Sequence, residues 1–193
     1  MKNFICLLVW TAILGTSPAF SEGSSPLMLS RYSGIVGLIQ LGDTEQAILS
    51  RVKWTNKRAE LPKSHGLAKM RFSHMMYFPD GGVRAYFRND KVALIEVQNP
   101  FSGEVQGTRL SVFKLTSTQK SEKWDEVIQN ELGRQPRGRI GNGAFNSEAF
   151  LYPWGDVSFN ASGLNEMAIY RNPEIAKYRQ THFGPKVEMW APN

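Results

Sequence analysis

The chain has 193 residues, 41% hydrophobic and 21% charged, with a formal net charge of +6, three histidines and one cysteine. A lone cysteine excludes a disulfide framework and a thiolate metal centre, so stability must come from the core. No groove-reading motif accompanies the basic excess, which argues against nucleic acid and leaves an anionic surface or an acidic partner as what the charge favours.

Lys2, the apolar run Phe4 to Leu14 and the small-residue exit Gly15 to Ser21 read as an export signal cleaved after Ser21. An apolar run of that length is too short to cross a ~30 Å hydrocarbon layer as a helix. Cys6 lies inside the run, and Asn3-Phe4-Ile5 ahead of it lack the small residue of a lipoprotein signal. The expected product is periplasmic or secreted, without a lipid anchor, a transmembrane span or a thiol.

Residues 22–32 are rich in Ser, Gly and Pro and read as a flexible lead-in. Ile35 to Leu41 suits a short strand, and Asp43 with Gln46 forms a capping box for a helix from Thr44 to Val52. Trp54 to Gly66 reads as a loop. Three strands are then expected: Lys69 to Phe78, Val83 to Arg88 and Lys91 to Val97, joined at Pro79-Asp80-Gly81-Gly82 and Asn89-Asp90.

Thr108 to Leu115 opens a second round. Thr116 and Gln119 offer another capping box, and Trp124, Val127, Ile128 and Leu132 share one helix face that Gly133 and Pro136 end. Arg134 to Asn146 reads as a mobile loop. Strands Glu148 to Tyr152, Asp156 to Asn160 and Asn165 to Arg171 follow, and Pro173 starts a last helix through His182.

The two rounds are alike. Tyr77-Phe78-Pro79-Asp80-Gly81-Gly82-Val83 and the strands to Asn99-Pro100 match Leu151-Tyr152-Pro153-Trp154-Gly155-Asp156-Val157 and the strands to Asn172-Pro173. The expected fold is α+β: two tandem repeats, residues 33–103 and 104–193, each a helix on its own three-stranded antiparallel sheet, plus a short C-terminal helix. Leu41-Gly42-Asp43-Thr44-Glu45 ahead of the first helix and the Pro79 to Phe87 hairpin resemble the tandem beta-lactamase-inhibitor-like proteins and the outer-membrane-assembly lipoproteins of the SmpA/OmlA type. That resemblance implies a protein that inhibits a hydrolase or assists envelope assembly. The lipobox and the cysteines of those relatives are missing here, and Leu115-Thr116-Ser117-Thr118 replaces the helix-start motif in the second round.

Residue chemistry points to binding. No two of His65, His74 and His182 stand at i, i+4 spacing, so neither a metal site nor a cofactor is expected. Ser73 and His74 are neighbours on an expected strand, which would point them to opposite faces and prevent a nucleophile–base pair. Aromatic and basic residues recur on the hairpins, and Tyr, Trp and Arg dominate interface energetics. Arg84, Tyr86, Arg88 and Trp154 are therefore the expected contacts for a protein partner, with Tyr86 standing out from the sheet and Arg137 and Arg139 adding electrostatic steering. A cell-envelope hydrolase using His74 or His182, and a carrier of a small ligand or wall polymer between two sheets, are the alternatives.

Overall fold

A computed structural model describes residues 27–98, 101–112, 124–133, 138–142, 147–160, 163–183 and 187–188. In chain order these form β1 (Leu27–Ser30), β2 (Gly34–Ile35), β3 (Ile39–Gln40), α1 (Glu45–Arg51), β4 (Lys57–Glu60), α2 (Gly66–Lys69), β5 (Phe72–Phe78), β6 (Val83–Arg88) and β7 (Lys91–Gln98). There follow β8 (Gly103–Val105), β9 (Ser111–Val112), α3 (Trp124–Leu132), β10 (Gly138–Asn142), β11 (Ser147–Tyr152), β12 (Gly155–Asn160), β13 (Gly163–Tyr170), α4 (Pro173–Phe183) and β14 (Val187–Glu188). The architecture is α+β and strand-rich. A nine-stranded antiparallel sheet runs β14-β10-β11-β12-β13-β7-β6-β5-β4, and a five-stranded sheet runs β3-β2-β1-β8-β9.

Local chemistry explains most of the boundaries. Thr44 caps α1, accepting from the Ala47 amide at 3.2 Å. Asp43, the expected cap, instead accepts from the Gln40 amide at 2.7 Å and pairs with Arg51, tying the turn before the helix to its last turn. Asn89 and Asp90 both take positive φ, the left-handed pair that a two-residue hairpin turn requires. Pro173 opens α4, where its missing N–H costs nothing. Val127, Ile128 and Leu132 do place one face of α3 on the core; the expected capping box at Thr116 and Gln119 lies outside the described residues.

Several segments differ from expectation, among them Ile35 to Leu41, which forms the hairpin β2–β3 and not one strand. Leu27–Ser30, placed in the flexible lead-in, is the central strand of the small sheet and pairs in parallel with β8. The Trp54 to Gly66 loop contains β4, an edge strand whose residues are all exposed and so carry no hydrophobic signal. The Arg134 to Asn146 loop contains β10, which pairs with β11 from Gly138 to Asn142 despite its glycines.

The two halves do not form separate sheets. Strand β7 pairs directly with β13, from Gln98↔Glu166 to Leu94↔Tyr170, so the hairpins fuse into one surface. The hairpins β6–β7 and β12–β13 correspond closely: one constant offset carries the turn pair Arg88↔Lys91 onto Asn160↔Gly163 and the bulged Ala93 onto Asn165. The same offset carries Glu96 onto Ala168, which face each other across the seam. A two-fold axis normal to the sheet at that pair therefore exchanges the hairpins. The preceding turns differ, because Phe78↔Val83 spans Pro79 to Gly82 whereas Tyr152↔Gly155 spans only Pro153 and Trp154. Matching Val83 with Val157 by sequence is thus out of step with the ladder, which places Gly155 opposite Val83's role. The small sheet does not follow this axis, since a two-fold along the sheet normal would make β1 and β8 antiparallel.

Both faces of the large sheet are covered. On one, Phe78, Val83, Ala85, Phe87, Ile95, Val97, Val157, Met167 and Ile169 pack against α1 (Ile48), α3 (Ile128, Leu132) and the small sheet (Leu29, Ile35, Val105) as a single cluster. Helices α1 and α3 share this core instead of each covering its own sheet. On the other face, α2 (Leu67) and α4 (Ile175) pack on Phe72, Tyr86, Leu94, Ala168 and Tyr170. Each fully buried side chain of this size contributes about 1.5–3 kcal/mol, so the shared core binds the halves together. Among the described residues, no helix is long and apolar enough to cross a membrane.

Candidate functional site

Of the expected contact residues on β6, Tyr86 is buried, whereas Arg84 and Arg88 are only partly covered. Alternation points Arg84, Tyr86 and Arg88 toward α4, a helix that the sequence predicts without saying what it covers. Tyr86 is 7% exposed, not standing out as expected, and its hydroxyl donates to Glu96 Oε2 at 2.9 Å. Arg84 is partly buried, with a guanidinium nitrogen 3.2 Å from Gln98 Oε1 and 3.6 Å from Glu96 Oε2. Arg88 reaches Glu174 on α4 at 3.3 Å.

These residues border a buried charge cluster. Arg179 of α4 reaches both Asp156 oxygens, at 3.0 and 2.9 Å, and pairs with Glu96 and Glu166. The Tyr170 hydroxyl adds a 3.0 Å bond to Asp156. Burial pushes the Glu96 and Asp156 carboxyls up against the opposing pull of Arg179, and burial also raises the Tyr86 hydroxyl, reinforced by Glu96. Surrounding carboxylates hold the Arg179 guanidinium well above its ordinary value despite its burial. The cluster, with Arg179, Asp156 and Glu96 buried, locks α4 over the sheet seam.

Ser73 and His74 do meet. The β5–β6 register shifts between Phe72 and His74, leaving Ser73 outside the regular ladder. The opposite-face rule then fails, and Ser73 Oγ lies 2.8 Å from His74 Nδ1. His74 is buried and stacked on Phe87 with centroids 4.4 Å apart, and its Nε2 lies 3.3 Å from Glu45 Oε2. That last contact is within ion-pair reach but off the hydrogen-bond line, and Glu45 also meets Arg58 at 3.3 Å. The arrangement joins α1 to β5. The side chain of His182 and the whole of Arg137 lie outside the described residues, and Arg139 is described only by its β10 pairing with Phe150 and Glu188. Among the described residues no group of three His, Cys, Asp or Glu is placed to hold a metal.

An open cleft lies where Trp154 sits. About 530 Å³ in volume, it is lined by Arg31, Tyr32, Leu132, Gly133, Tyr152, Pro153, Trp154 and Arg171. Turn Pro153-Trp154 carries its floor: the Tyr152 and Trp154 rings stack with centroids 4.9 Å apart at 12°, both nearly buried. Tyr32, 60% exposed in the β1–β2 turn, also lines the cleft. Arg171 donates to the Tyr32 carbonyl at 2.8 Å, while the Arg31 guanidinium lies 5.8 Å from the Tyr32 ring centroid. Neither arginine meets a carboxylate among the described residues. The Tyr152 hydroxyl is buried without a partner among the described residues, and burial raises it against the nearby Arg31 charge.

Of the expected contacts among the described side chains, Trp154 lines this cleft and Arg84, Tyr86 and Arg88 do not. Sequence reasoning missed Arg31 and Tyr32 because they end a segment read as a lead-in, and Arg171 because it follows an apolar strand as an ordinary polar stop. The aromatic-Pro-Trp turn was the visible signal. No family model matches the chain, and no curated protein or solved structure does.

Proposed function

We propose that this chain is an exported, non-enzymatic binding protein that engages a protein partner through the cleft at Trp154. The observation carrying the reading is the convergence of Arg31 and Arg171, without carboxylate partners among the described residues, on a concave wall of Tyr32, Pro153 and Trp154. Aromatic and arginine side chains in a pocket are what anchors an interface. Arg84, Tyr86 and Arg88 have partners inside the fold and support α4 instead. We read the matching hairpins as an ancestral duplication, the tandem α+β plan of beta-lactamase-inhibitor-like and envelope-assembly proteins, which favours an inhibitor or an assembly factor. The first residues support export by a cleaved signal.

A photo-crosslinking residue tests this. Placed at Tyr32, it should trap one envelope protein that the same residue at Leu49, 40% exposed on α1, does not trap. Equal trapping at both positions would remove the cleft reading.

A hydrolase is the second reading, favoured by the 2.8 Å Ser73–His74 contact backed by Glu45. A fluorophosphonate probe should leave Ser73 unlabelled; labelling that disappears in Ser73→Ala would establish the hydrolase instead. A carrier that holds its ligand between two repeat sheets would need a seam, and β7 and β13 pair directly there.

A further inference from the structure

We infer that the cleft is a carboxylate site, built for an acidic peptide segment in which the carboxylate lies beside an apolar side chain; the inference rests on the docking reading above. Its charge is the first argument. Arg51, Arg58, Arg84, Arg88 and Arg179 each meet a carboxylate within 4.0 Å; Arg31, Arg71, Arg109 and Arg171 meet none among the described residues, and of these four Arg31 and Arg171 share one concavity. Two unpaired guanidiniums on one concavity are an anion site awaiting its charge.

Preorganisation is the second. Arg171 is held by the Tyr32 carbonyl through one nitrogen, which leaves the rest of its fork free, and Arg31 lies near the face of the same tyrosine. A planar, pre-positioned fork loses little freedom on gripping a carboxylate. The walls supply the third argument. Tyr32, Pro153 and Leu132 offer apolar surface, and about 530 Å³ is room for one or two residues of a peptide but not for a folded element. A bare inorganic anion would leave that surface unused, and an apolar chain would leave both arginines unanswered.

N-acetylphenylalanine carries a carboxylate beside an apolar ring, and N-acetylphenylalaninamide replaces that carboxylate with a neutral carboxamide of nearly the same shape. Titrated into purified, isotopically labelled protein, the acid should shift the Trp154 indole N–H resonance saturably, with that resonance assigned by its loss in Trp154→Phe. The amide should bind at least about tenfold more weakly, and Arg31→Gln should weaken the acid by a similar factor with the thermal midpoint unchanged. Glucuronate, a carboxylate on a polar body, should also be at least about tenfold weaker than the acid. Equal binding of acid and amide, full affinity in Arg31→Gln, glucuronate matching the acid, or no saturable shift would each overturn the carboxylate–apolar assignment. Failure of the probes while crosslinking from Tyr32 persists overturns this assignment and leaves docking standing; loss of the crosslink as well removes both.

Discussion

The Tyr152 hydroxyl is buried with no hydrogen-bond partner among the described residues, which costs the folded state the desolvation of a polar group and returns nothing. Tyr152→Phe keeps the ring that stacks on Trp154 and removes only that hydroxyl. It should leave stability unchanged or raise it by about 1 kcal/mol in urea unfolding; a clear loss would mean that the hydroxyl is bonded. Glu96 and Asp156 behave differently, because burial raises carboxyls that Arg179 pulls down. A carboxyl raised in the folded chain favours folding when protonated. Its contribution is complete below the ordinary carboxylate range, at about pH 4, and is lost as pH rises through the raised value. Stability should therefore decline over that rise, and Glu96→Gln, neutral at every pH, should remove part of the slope. Identical slopes in the two proteins would contradict this account of Glu96.

At the scale of elements, α4 is held over the sheet by Arg179, by the Arg88–Glu174 pair and by Ile175, with Ala176 and Tyr178 packed beside it. Arg179→Met leaves three buried or partly buried carboxylates without their shared cation, and breaking such a cluster costs about 3–5 kcal/mol. The loss should show first as faster amide exchange in α4, with β6 and β7 still protected; uniform exchange across the sheet would mean that the cluster supports the whole fold. Gly155 is the steric counterpart. A Cβ there would sit 1.9 Å from the Ala168 carbonyl oxygen on the neighbouring strand. Gly155→Ala should thus part β12 from β13 and fall at the severe end of single substitutions, at least about 3 kcal/mol by urea unfolding.

Element by element, the strands with strong alternation were legible. Val83 to Arg88 was read at its observed bounds, and Lys91 to Val97 falls one residue short of β7. The strands that escaped notice lack that signal: β4 is polar because it is an exposed edge, and β10 carries two glycines in five residues. Facing was harder to read than existence. Alternation says that Arg84, Tyr86 and Arg88 share a face, but which element covers that face depends on where α4 docks, and Arg179 contacts residues far from it in sequence.

The molecule as a whole is two hairpin systems joined at β7 and β13 and closed by one core, which is why neither half holds an independent sheet. Its open cleft draws residues from four stretches: the β1–β2 turn, the end of α3, the β11–β12 turn and the end of β13. Only the β11–β12 turn carried a sequence signal for binding; the others become neighbours through the parallel β1–β8 pairing and the packing of α3. The most direct test of this assembly as the functional surface compares two charge reversals in capture of the envelope partner by tagged protein. Arg31→Glu should abolish capture while Arg84→Glu, whose arginine faces the cluster under α4, retains it. Capture that survives Arg31→Glu and disappears with Arg84→Glu would contradict the account.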